Sequence, residues 1–161
     1  MTGQTGPVRI YLPATLLDLV PPVGSPRAVS ARRAHAVTAQ LREMFPDADD
    51  EGLEYAAHLA AADASLELLG RTPGAPRLRL VLTADVPAVV VRPAHDDEAA
   101  PSAVEVTGDV PWGAIACAHV DESTATVDVA AALTGDADAV DSLDEHDLLW
   151  YDASELDALA P

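Results

Sequence analysis

The sequence predicts an α+β fold, a single domain over residues 1–161 with a mostly antiparallel sheet of about five or six strands. One long helix and several smaller ones pack on that sheet. Three observations point there. Short runs of alternating apolar residues recur along the chain. One segment, near residues 49–70, has sustained helical periodicity. Strand-like and helix-like runs are mixed without the regular alternation of a parallel α/β sheet. A chain of 161 residues suits one domain and buries about 68–70% of its unfolded surface at this size, so it needs no staples.

Residues 1–6 read as a flexible tail. "VRIYLPAT" sets Val8, Ile10 and Leu12 against Arg9 and Tyr11, a half-buried strand ended by Pro13. Leu16–Val20 suits a helical turn before the loop "PPVGSP". "AHAVT" reads as a second strand running into the short helix "AQLREMF". From Asp49 to Gly70 the long helix follows. Tyr55, Leu59, Ala62, Leu66 and Leu69 recur at three- and four-residue steps, within roughly 80° of one another.

"RLRLVLTADV" is the clearest strand, and "AHDDEAAPS" is a solvated loop. "AVEVTG" and "AIACAHVD" are two further strands. "TATVDVAAAL" is helical, "TGDADAVDSLDEHD" an acidic connection and "LLWYD" a last strand. "ASELDAL" closes the chain as a helix capped by Ser154, with Asp157 at N3. A ferredoxin-like arrangement is one candidate for these elements.

"PDADDEG" poses a sharper question. Counted from Asp47, Gly52 falls where a calcium loop needs its glycine, but position 12 is His58 where such a loop needs a bidentate Glu. The same acids suit a helix start. Asp47 or Asp49 would cap free N–H groups, and the rest would meet the positive end of the helix dipole. Gly70, Pro73 and Gly74 supply the stop. The capping reading is the expectation.

The charge is uneven. Nine basic residues, all Arg, face 27 acidic ones for a net −18, and the absence of Lys fits GC-rich codon usage. All nine Arg and ten acids lie in residues 1–92, whereas residues 93–161 hold 17 acids and no basic residue. That surface repels phosphate backbones and anionic lipid, so neither nucleic acid nor membrane is an expected partner. No apolar run approaches a membrane span, and the N-terminal residues show no secretory signal. The cytoplasm is the expected compartment. A lone cysteine, Cys117, excludes an internal disulfide and a Cys-based zinc site.

"YLPATL", "DEGLEYAAHLAAADASLELL", "ADVP", "HVDE" and "HDLLWY" together resemble an uncharacterised family of small acidic actinobacterial proteins, a domain of unknown function. The resemblance spans most of the chain and implies an actinobacterial, cytoplasmic origin. It carries no catalytic residues.

Candidate chemistry is sparse. "HVDE" puts His119 and Asp121 on one strand face, and Glu145, His146 or Asp147 would add a third metal ligand or an acid–base partner. Cap or surface roles compete for these residues. Ser123 and Ser154 lack nucleophile motifs, Cys117 reads as core, and no phosphate-binding loop is present. Arg27, Arg32 and Arg33 form a basic cluster, either a solvated loop or a seat for an acidic partner. His58 and Glu54 suit a surface pair. No cofactor and no resident metal are expected. "LLWY" is either an inner strand finishing the core or an edge strand docking a partner, and the core reading is the expectation. The favoured function is non-enzymatic, through contacts with another protein or another copy of the chain. The alternative is a small hydrolase or metal-assisted enzyme using His119 and Asp121.

Overall fold

The computed structural model describes residues 6–161; the tail expected over residues 1–6 lies, apart from Gly6, outside them. Strand β1 (Pro7–Ala14) occupies the middle of a seven-stranded sheet. Its neighbours are β3 (Arg33–His35) on one side and β4 (Leu80–Pro87) on the other. Beyond β3 lie β6 (Ala103–Val106) and then β5 (Val91–Pro93). Beyond β4 lie β8 (Ile115–Asp121) and then β9 (Leu148–Asp152) at the edge. A separate ribbon pairs β2 (Ala28–Val29) with β7 (Val110–Pro111).

The class is α+β, as expected. The ferredoxin-like arrangement does not apply, because split βαβ units set parallel strands together and every pair here is antiparallel. Against the expected five or six strands, the described residues form nine. Those missed, β2, β5 and β7, run only two or three residues, too short to show a period.

Both faces of the central strands are buried. Ile10, Leu12, Leu80 and Leu82 are fully covered on one face, each contributing about 1.5–3 kcal/mol. Tyr11 and Val81 are buried on the other. The half-buried reading of β1 is therefore corrected: Tyr11, at 7% exposure, is core. The first face is closed by Leu19, Val29, Val110 and Leu156. Leu156 belongs to α5 (Leu156–Leu159). The second face is covered by α1 (Ala39–Met44) and by α2 (Asp50–Gly70).

Asp49 starts α2, its Oδ1 accepting from Gly52 N at 2.8 Å. Beyond the last turn Gly74 takes φ +86°, a left-handed value that suits glycine. The buried face differs from the expected stripe. Leu53, Ala57, Ala61, Ser65 and Leu69 face inward, while Tyr55 and Leu59 are 61% and 45% exposed. Alanines let the helix approach a sheet whose own side chains are large. The bulkier residues project beyond the contact. Mid-helix, the Ser65 hydroxyl donates to Ala14 O at 2.7 Å and accepts from Leu80 N at 3.0 Å.

Helix α3 (Thr126–Leu133) follows β8, and α4 (Ala137–Leu143) stands where an unstructured acidic connection was expected. Asp136 starts α4 by accepting from Asp138 N and Ala139 N. A further correction falls at the C-terminus. Asp152, not Ser154, forms the capping box, with Glu155 at N3. Its turn, Ala153–Glu155, leads into α5.

The core reading of "LLWY" is also corrected. Strand β9 ends the sheet, and Leu149 and Trp150 are 43% and 59% exposed. Only Leu148 and Tyr151 pack against the apolar clusters.

Candidate functional site

Polar side chains converge in two clefts: one of about 630 Å³ lined by Asp18, Arg32, Arg33, His35, Glu67 and Arg71, and one of about 650 Å³ between α2, the sheet and the segment joining α4 to β9, which holds His119. The position of this second cleft follows from the register of α2. Because alanines fill the helix–sheet contact, Tyr55, His58 and Leu59 lie along the cleft wall. On the sheet, Val81 pairs with His119 and His119 with Trp150. Residues paired this way share a face, so His119 rises beside the helix.

The floor is a buried ion pair. Arg79 donates to Asp121 from Nε at 3.0 Å, from Nη2 at 2.9 Å and from its backbone N at 2.8 Å. Nη2 also reaches Leu143 O at 3.2 Å. The two side chains are 6% and 0% exposed. Such a bidentate, desolvated pair is geometrically fixed. It ties the start of β4 to the end of β8 and to the last turn of α4.

Above it, the His58 and His119 rings meet edge-to-face with centroids 4.5 Å apart. Tyr11 stands edge-on to His58 at 6.0 Å, and Tyr55 stacks on it at 6.3 Å. Burial, then His119 and Arg79, pushes His58 down to about 4. Burial lowers His119 as well. Both imidazoles are neutral at pH 7. Burial, followed by the nearby Glu54 charge, pushes the Tyr11 phenol up to about 12, so it stays protonated. The Nδ1 atom of His119 is buried without a hydrogen-bond partner among the described residues.

The rim is acidic. Glu51, Glu54, Asp63, Asp144 and Asp147 line the cleft. Burial and then Asp144 raise Asp63. His146 also lies on the rim, with Nε2 2.9 Å from Asp128 and Nδ1 3.2 Å from Glu122. Those bonds, Asp128 first, raise its pKa. Through these two contacts the ring joins the approach to β9 to α3 and the end of β8.

The residues singled out from sequence thus have separate tasks. His119 faces the cleft. Asp121 lies beneath it, with its oxygens given to Arg79. His146 gives both nitrogens to carboxylates. Among the described residues, no group of three or more His, Cys, Asp or Glu could hold a metal ion. His58 is no surface partner of Glu54; it belongs to the cleft. Its signal lay in "EYAAH", which sets Tyr55 and His58 three residues apart on one helix face. Cys117 is partly buried, and the Ser154 hydroxyl donates to Asp152.

The arginines of the basic cluster are paired within the molecule, and Arg32 and Arg33 also line a cleft with Arg71. Arg27 donates to Asp157 at 2.6 Å and lies over the Trp112 ring at 3.6 Å. Arg32 pairs bidentately with Asp18, and Arg33 pairs with Glu105 and Asp96. Six of the nine arginines pair with acids, and in residues 93–161 they reach only Asp96, Glu105, Asp121 and Asp157, so most acids there have no arginine partner among the described residues. Among the described residues, no helix is long and apolar enough to cross a membrane.

A model of a family of unknown function (DUF6912) matches residues 8–160. No curated protein and no solved structure matches the chain.

Proposed function

The chain belongs to that family of unknown function, and from this footing we propose that it acts by docking a basic, extended segment of another protein along β9. One observation carries the reading. A five-residue strand ends the sheet with Leu149 and Trp150 exposed, in a part of the chain that has no Lys or Arg. Edge strands offer unpaired backbone groups to an incoming strand. Trp is enriched among residues that dominate interface energetics. Asp152 ends the strand, Asp147 and Glu155 lie to either side of it, and these acids would steer a cationic segment while repelling an anionic one. The same charge disfavours a second copy, nucleic acid and anionic lipid, and the encounter is assigned to the cytoplasm.

This role needs no catalytic step. The enzymatic alternative is weakened at its own residues, because Asp121 is bound bidentately by Arg79 and offers His119 no free carboxylate.

Fluorescence anisotropy tests the proposal. A labelled peptide alternating Lys and Val should bind saturably, and one alternating Glu and Val should not. Trp150→Lys should weaken binding by roughly tenfold or more, as for an interface anchor. Raising salt should weaken it further. Equal binding of both peptides, or indifference to Trp150→Lys, would refute the reading. So would a dimer dissociated by that substitution, which assigns the edge to a second copy.

A further inference from the structure

We propose that the cleft between β1, β3 and the second half of α2 is a binding site for a small organic monocarboxylate with an apolar tail. The inference is separate from the docking strand and rests on which donors in this cleft are already committed. His35 lines it and is 5% exposed. Its Nδ1 lies 2.8 Å from the Oγ of Ser102, itself a buried residue. That hydroxyl has no other acceptor among the described residues, and a buried donor left unpaired is costly. Ser102 therefore donates to Nδ1, which places the proton of the neutral imidazole on Nε2. Nε2 has no partner among the described residues, and it is not one of the unpartnered atoms sealed from water. A deeply held ring thus presents a fixed N–H to the cleft. Burial, then the Arg33 charge, lowers the ring to about 4, so at pH 7 it donates without carrying charge.

One cation in the same lining is unpaired. All five N–H groups of Arg32 are committed, to Asp18, to Ser30 and to the Pro13 carbonyl. Arg33 is held by Glu105 and Asp96. Arg71, exposed just past the last turn of α2, has no acid within 4.0 Å among the described residues. A planar guanidinium takes a carboxylate through two parallel bonds. One guanidinium and one neutral N–H call for an acceptor group of single charge. Pro13, Leu17, Ala64 and Leu68 supply apolar wall for a hydrocarbon tail. The volume of about 630 Å³ lies in the range of small-molecule sites.

Glu67 also lines the cleft and opposes a multiply charged anion, while Arg71 opposes a cation. An uncharged ligand would leave the guanidinium unpaired. The net −18 of the chain does not bar a monoanion, because exposed charges farther than about 8 Å are largely screened at physiological salt.

Titration calorimetry on the full chain at pH 7 and physiological salt, with 4-methylpentanoate as probe, decides the matter. The expected result is saturable one-to-one binding, weakened roughly tenfold or more by Arg71→Gln, as for a lost charged hydrogen bond. Leu17→Glu, at an exposed position on the wall, should weaken it as well. Arg92→Gln, which removes an arginine outside the cleft, should leave it unchanged. Neither 4-methylpentanol nor inorganic phosphate should bind saturably. Thermal melts of each variant confirm folding. Nitrogen NMR of the imidazoles should show the His35 proton on Nε2 and a shift of that resonance on titration. Absence of saturable heat would overturn the proposal. So would full binding by the Arg71 variant, equal loss in the Arg92 variant, equal binding of phosphate or the alcohol, or a His35 Nε2 that carries no proton. Failure of the Lys–Val peptide to bind β9 would leave this result untouched.

Discussion

Two opposite charges lie under the cleft with almost no water contact, and their geometry makes them mutually dependent. Arg79 and Asp121 share three hydrogen bonds. Removing one partner strands the other, which costs about 3–5 kcal/mol for a buried pair. Asp121→Ala should therefore lower the melting temperature by roughly 2–4 °C for each kcal/mol lost; a melt within a degree of the parent would refute the desolvated pair. The histidines add a pH signature. His35 and His58 are both held down to about 4, by burial first in each case. As pH falls below the ordinary value of 6.5, the unfolded chain takes up protons that the folded chain refuses. Stability present above 6.5 is thus lost progressively toward pH 4. His146, raised by Asp128 and Glu122, has the opposite sign: its contribution is held at low pH and lost as pH rises through its raised value. Urea midpoints should fall between pH 6.5 and 5, and His58→Gln should flatten that fall. A parallel profile in the variant would contradict the assignment. None of this was legible in "HVDE" read locally. Sequence put His119 and Asp121 on one face but could not show that Arg79, 42 residues away, takes the carboxylate.

Among the elements, α2 was read best at its ends and worst on its face. Asp49 and Gly70 announced start and stop through local chemistry that acts within one turn. The face was misread because large apolar residues were weighted above alanine, whereas the sheet contact selects small residues for close approach. Ser65 shows the same selection, since its hydroxyl bridges Ala14 O and Leu80 N between neighbouring strands. Ser65→Ala keeps the size but leaves both groups unpaired, at about 1–3 kcal/mol. Chemical denaturation should report that loss, and an unchanged midpoint would mean water replaces the hydroxyl. Strand β9 inverts the lesson. Its apolar run resembles a core strand, and what makes it an edge is topology: none of the described residues pairs beyond it. Trp150→Ala should accordingly shift the melt little, because the side chain is 59% exposed. A fall of several degrees would return Trp150 to the core.

Across the whole molecule, the sheet is built from pairings between distant segments, and these were beyond reach of local patterns. Class and long helix were legible because period and length announce them. The nine-strand arrangement was not, since two- and three-residue strands are set by neighbours. Charge segregation was fully legible, and the fold explains its consequence: six arginines pair with acids, none of them with the acids of the edge strand or of the cleft rim around His119. The central claim is that β9 receives a cationic strand, and amide hydrogen exchange tests it most directly. With the Lys–Val peptide at saturation, amides in Leu148–Asp152 should exchange markedly slower, while those of the opposite edge, Val91–Pro93, stay unchanged. Unaltered exchange in β9 while the peptide is bound would contradict it.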